Sequence, residues 1–162
     1  MDTMAVLTGK KLDKMIEEGG IGYWKADARR VAQCLYILAI ANARSGITQF
    51  SSADQNKGYL LGRIAGTFRP PEHPDRLVIV ISEYAEIDLP NAWPGYRNPV
   101  FYTDLETLGI DARALDWKTF PFIKRDDTAN DTVQALSVVE AKLGLAKKFG
   151  VNPDQIEIII RG

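Results

Sequence analysis

At 162 residues, with 46% hydrophobic and 25% charged residues, the chain has the size and composition of one globular domain. Its 20 Lys and Arg balance 21 Asp and Glu to a net charge of −1, which excludes a global basic field and leaves nucleic-acid binding only to a local patch. A single Cys and a single His exclude an internal disulfide and a zinc centre of imidazole and thiolate ligands. A carboxylate site for Mg²⁺ or Ca²⁺ stays open, although no EF-hand spacing is present, and the expectation is no metal and no cofactor.

Cys34 lies in the largely apolar run Val-Ala-Gln-Cys-Leu-Tyr and reads as a buried, inert thiol, because reactivity needs an electropositive, accessible setting. The N-terminus lacks the basic-then-apolar pattern of a secretory signal. The longest apolar stretch, Cys34–Ala41, is eight residues, too short to span a bilayer. The expectation is a cytoplasmic protein without a membrane partner.

Leu12–Glu18 predicts a short helix, with Leu12, Met15 and Ile16 at i, i+3 and i+4 and Gly19-Gly20 as its stop. After Tyr23-Trp24, Lys25–Gln33 predicts another helical turn or two with Asp27 near its start. Leu35–Ala41 is a continuous apolar run of strand length, read as a central strand buried on both faces, with a helix as the alternative. Gly46–Lys57 is polar and predicts a surface loop. Tyr59–Phe68 predicts a strand whose interior glycines mark a bulge or a close backbone approach. Pro70–Asp75 is a turn, and Leu77–Ile81 is the most β-prone run, so the two strands around the turn predict a hairpin.

Pro90–Pro99 holds three prolines and Gly95 and excludes regular structure. Val100–Tyr102 predicts a short strand, and Thr103–Leu108 a helix in which Thr103 and Glu106 form a capping box and Gly109 the stop. Lys124–Thr132 reads as a linker. A second capping box, Ser137–Glu140, opens a helix whose apolar face is Val139, Leu143, Ala146 and Phe149, with Gly150 at its end. After the turn at Asn152–Asp154, Ile156, Ile158 and Ile160 alternate as a closing strand.

Catalytic signatures are weak. His73 sits in the proline-rich turn, where a solvated surface residue is the simpler expectation, and no Gly-x-Ser-x-Gly elbow accompanies it. No glycine-rich phosphate loop opens a helix. Pro74-Asp75 with Glu140-Ala-Lys142 has nuclease-like spacing, but the predicted capping role of Glu140 explains it better. Glu83, Glu86 and Asp88 predict a solvated strand face, with a proton-transfer pair as the alternative.

Recognition remains. Trp93, Tyr96, Arg97 and Asn98 fall within six residues of one rigid loop, and Trp24, Asn42 and Arg44 sit at element ends. Aromatic faces stack on bases, a carboxamide reads a base edge, and Arg stacks or grips phosphate. The alternative is that Trp93 and Tyr96 plug the open end of the sheet. These seven residues are the expected ligand-binding set, and none is expected to be catalytic.

The stretch 82–111, with Asp-Leu-Pro-Asn-Ala-Trp-Pro-Gly-Tyr-Arg-Asn-Pro at its centre, and the ending 140–162 resemble a family of uncharacterised bacterial and phage-borne proteins. More loosely, Trp24, Leu35–Asn42 and Tyr59–Phe68 with its Gly-Arg-Ile are similar to PUA-like domains of the EVE or ASCH kind. That likeness implies a small barrel with a nucleic-acid or modified-base pocket. The expected fold is therefore α+β: a small mixed, mostly antiparallel β-sheet or PUA-like partial barrel with flanking helices. Residues 1–127 form the core, and residues 133–162 form a C-terminal helix–turn–strand unit packed on it or completing it. The expected function is a nucleic-acid or nucleotide-binding module without catalytic activity. The alternative is a phage- or plasmid-encoded factor that binds a host protein and inhibits a defence system.

Overall fold

The computed structural model describes residues 1–121 and 138–159. The chain divides into two compact units, Met1–Ile123 and Lys124–Gly162.

The first unit is α+β and is built on one sheet. Thr3–Thr8 forms β1, a strand whose pattern is easily overlooked because only four apolar residues stand between two threonines. Both threonines are buried, and both hydroxyls are used. Thr3 donates to the Asp2 carboxylate at 2.7 Å, and Thr8 accepts from the Lys10 amide at 3.2 Å. Helix α1 comes next at Leu12–Glu18, buries Met15, and stops at Gly19, whose φ of 74° is the left-handed conformation that favours glycine. Ile21–Trp24 is β2, and Ala28–Val31 is the one-turn α2, capped by the Asp27 side chain on the Arg29 amide at 2.8 Å.

Tyr36–Ala41 is β3, a central strand buried as its apolar run requires. The Gly46–Lys57 stretch is irregular apart from a 3₁₀ turn at Ser52–Asp54. Gly58–Phe68 (β4) and Leu77–Leu89 (β5) form the hairpin across the proline-rich turn. Register shifts interrupt it at Arg63/Ile64 and Ile64/Gly66, and such bulges bend a strand and raise its twist. Gly62 marks the close approach, since a β-carbon there would stand 2.8 Å from Ile81 Cγ2.

Val100–Thr103 (β6) and Lys118–Thr119 (β7) complete a sheet of order β2-β5-β4-β3-β1-β6, with β7 on β5. Among the described pairs only β1 and β3 run parallel; the others are antiparallel. The sheet curls into a half-barrel whose edges are β2 and β6. Alternation along β3 divides the core in two: Ile37 and Ala39 join Met15, Trp24, Val31 and Phe120 on one face. Leu38 and Ile40 join Leu61, Ala92 and Leu105 on the other.

One expected helix is absent. Thr103 cannot cap 103–108 because it is the last residue of β6, paired with Thr3. Instead, β6 leads into a turn closed by Leu108 N on Asp104 O at 3.2 Å, with Gly109 at φ 68°. One turn is too short to sustain a helix without packing.

In the second unit, α3 spans Val138–Phe149 and ends at Gly150, φ 66°. The capping box expected at 137–140 lies outside the described residues. Of the expected apolar face, Ala146 is buried, whereas Val139 and Leu143 are exposed. Among the described residues, 156–159 form no strand: a 3₁₀ turn at Pro153–Gln155 precedes them, and no described ladder includes them. Alternating isoleucines supply a strand's side-chain pattern, but a strand also needs a hydrogen-bonded neighbour, and none is found among the described residues. Ile160 lies outside the described residues. Among the described residues no helix is long and apolar enough to cross a membrane.

Candidate functional site

The carboxyl ends of β1 and β3 lie side by side, continued past the strands by the Asn42 amide on the Thr8 carbonyl at 2.8 Å. The loop after β1 is pinned from several directions. The Gln49 amide donates to Gly9 O at 2.8 Å, the Gln49 side chain accepts from the Lys11 amide at 2.6 Å, and the Tyr59 hydroxyl donates to Lys10 O. Gly9 is required here, because a β-carbon would stand 2.9 Å from Ser45 Cβ. Lys10 turns inward. Its ammonium pairs with Glu18 at 2.8 Å, donates to Gly22 O at 2.8 Å, and stands 4.8 Å from the Tyr23 ring centre.

The curl of the sheet brings its two edges to this same end. Leu7 N donates to Pro99 O at 2.9 Å, which fixes the approach to β6 beside the end of β1. Between the edges lies a seam cavity of about 280 Å³, lined by Tyr23, Trp24, Lys25 and Arg76 from one side and Asn98–Val100 from the other. A second cavity of about 250 Å³, at the strand ends, is lined by residues of the Leu7–Lys10 and Gly22–Trp24 segments with Ile47 and Arg76. The two share Tyr23, Trp24 and Arg76.

The charges at this end are unequal in availability. Lys10 is matched by Glu18, and both are largely buried. Lys25 and Asp75, 3.5 Å apart, are both exposed, so water screens their pairing. Arg76, half-buried, donates from Nη1 to the Tyr23 carbonyl at 3.1 Å and makes no ion pair among the described residues. Trp24 is 9% exposed, and its buried indole nitrogen has no hydrogen-bond partner among the described residues.

Of the seven expected residues, Trp24 and Asn98 line the same cavity. Asn42, at the end of β3, accepts the Arg44 amide at 3.2 Å, and Arg44 is exposed. Trp93, Tyr96 and Phe101 make a mutual edge-on trio, with ring centres 5.4 to 6.3 Å apart. Trp93 and Phe101 pack on the face of Leu38 and Ile40, opposite the face that holds Trp24. Tyr96 is 57% exposed, and Arg97 is exposed beside it. Sequence reasoning missed Lys10 and Arg76. Recognising β1 would have exposed Gly9-Lys10 as a strand-end loop; nothing local marks Arg76.

No family model, curated protein or solved structure matches the chain.

The other candidate features resolve into ordinary contacts. Glu83 pairs with Arg63 at 2.7 Å, Glu86 with Lys118 at 3.3 Å, and Asp88 with Lys57 at 3.0 Å. That is the solvated face expected of them. Arg63 also lies 4.3 Å from the Trp117 ring centre. A larger hollow of about 440 Å³ around Lys57, Asp88 and Asn91 has no aromatic wall. Cys34 is buried at 6% exposure, and burial pushes its thiol pKa up, away from the thiolate.

Proposed function

We propose that the protein binds a nucleotide or single-stranded nucleic acid, without catalysing a reaction on it, at the end of the half-barrel where β1, β3 and the two edge strands meet. The observation that carries this is the shared wall of the two cavities, in which the aromatic pair Tyr23-Trp24 stands beside an arginine with no carboxylate partner among the described residues. Aromatic rings stack on bases irrespective of sequence, and guanidinium grips phosphate. A local site of this kind is what a chain of net charge −1 requires.

The test is fluorescence anisotropy with labelled single-stranded DNA and RNA on the whole chain and on Arg76→Glu. Binding by the parent and a loss of about a hundredfold in the variant are expected, since a favourable phosphate contact becomes a repulsion. Equal binding by both contradicts the proposal.

A second function, docking of a protein partner, is favoured by one observation. Tyr96 is 57% exposed on a loop rigidified by three prolines, and exposed Tyr and Trp are typical anchors of protein interfaces. If no nucleic acid binds and Tyr96→Ala removes a partner retained by Arg76→Glu, the function belongs to that loop.

A further inference from the structure

We infer that the seam cavity between the edge strands is a second subsite, which holds the phosphodiester and nucleotide next to the one in the strand-end cavity, so that the ligand is a strand of at least two nucleotides. This rests on the proposed nucleic-acid binding and specifies its ligand. The two cavities, about 280 and 250 Å³, each fall below the ~300 Å³ at which pockets begin to enclose a drug-sized ligand. Each is suited to one nucleotide-sized group. Because Tyr23, Trp24 and Arg76 wall both, groups in the two cavities are neighbours, as successive nucleotides are.

The chemistry of the seam lining selects what enters it. Asn98 Oδ1 accepts from the Val100 amide at 3.4 Å, so its free functional end is the NH₂, a donor. Arg76 and Lys25 offer only donors. Two of the main-chain carbonyls nearby are engaged, Tyr23 O by Arg76 at 3.1 Å and Pro99 O by Leu7 at 2.9 Å. The acidic neighbour is Asp75, 3.5 Å from Lys25 and exposed with it. A donor-lined seam takes a group rich in acceptors, namely phosphodiester oxygens and the carbonyls of a thymine or uracil edge. Asn98, in the approach to β6 and across the cavity from Trp24 on β2, is then the residue that distinguishes a strand from a single nucleoside.

The experiment titrates the whole chain and Asn98→Asp with thymidine, the dinucleotide dTpdT and the hexanucleotide dT6. Asp keeps an oxygen to accept from the Val100 amide and removes the donor, and an unchanged melting temperature confirms the turn. The expected result is that dTpdT binds at least about tenfold tighter than thymidine, and that Asn98→Asp costs dTpdT about tenfold while leaving thymidine unaffected. Equal affinity for thymidine and dTpdT, or an equal loss for both in the variant, overturns the second subsite and leaves the strand-end site standing. Failure of all three probes to bind the parent overturns nucleic-acid binding itself, and the subsite with it.

Discussion

Arg76, the residue before β5, donates from Nη1 to the main-chain carbonyl of Tyr23, the penultimate residue of β2, at 3.1 Å. One of five guanidinium donors is thereby fixed, and the rest stay available at the wall of both cavities. A lysine there keeps the charge but loses the planar fork. Arg76→Lys is expected to weaken oligonucleotide binding about tenfold, and Arg76→Ala to lower the slope of log K against log salt by about 0.7, the loss of one phosphate contact to a single strand. An anisotropy titration at several salt concentrations measures both. An unchanged slope places the phosphate elsewhere.

Trp93 is half-buried against Phe101 and the Leu38–Ile40 face. Trp93→Ala should cost about 2–3 kcal/mol, below the 3–5 of a fully buried ring. Arg97→Ala, at an exposed position, should stay within about 0.5 kcal/mol. Denaturant unfolding gives both values. Neither substitution should change oligonucleotide affinity by more than about twofold. Lost affinity with intact stability would move the site to the proline-rich loop.

The Tyr59 hydroxyl donates to Lys10 O, and burial pushes its pKa far above the usual value near 10. The folded state therefore holds its proton where the unfolded chain releases it. The resulting stability is complete below about pH 10 and is lost as pH rises beyond it. The urea midpoint should fall more steeply above pH 10 for the parent than for Tyr59→Phe. Parallel curves would show that Tyr59 ionises freely in the fold.

Cys34 is 6% exposed, its thiol is within 3.5 Å of Arg30 O, and burial raises its pKa. Disulfide reagents should modify it in the native protein at least about a hundredfold more slowly than in denaturant. Comparable rates would mean that the β3 approach opens readily.

Features carried by local chemistry were legible in the sequence. Gly19 stops α1, Asp27 caps α2, and the turn at 70–75 joins β4 to β5 as its prolines dictate. Strand β1 was missed because it is short and bounded by threonines whose burial depends on Asp2 and Lys10. The helix expected at 103–108 fails because β6 claims its cap for the ladder with β1, a competition between distant segments. The site divides in the same way. Trp24 and Asn98 stand out as residue types, whereas Arg76 gains its position only when β5 pairs with β2. Only the curl sets Asn98 across a cavity from Trp24.

Photo-crosslinking tests the location of the site most directly. A single-stranded oligonucleotide carrying 5-bromodeoxyuridine is irradiated with the whole chain, and the adduct is mapped by mass spectrometry after trypsin. The expected adduct is on the peptide spanning residues 15–25, which contains Tyr23 and Trp24. An adduct on the peptide spanning residues 77–97, which contains Trp93 and Tyr96, or no adduct at all, would contradict binding at the strand-end cleft.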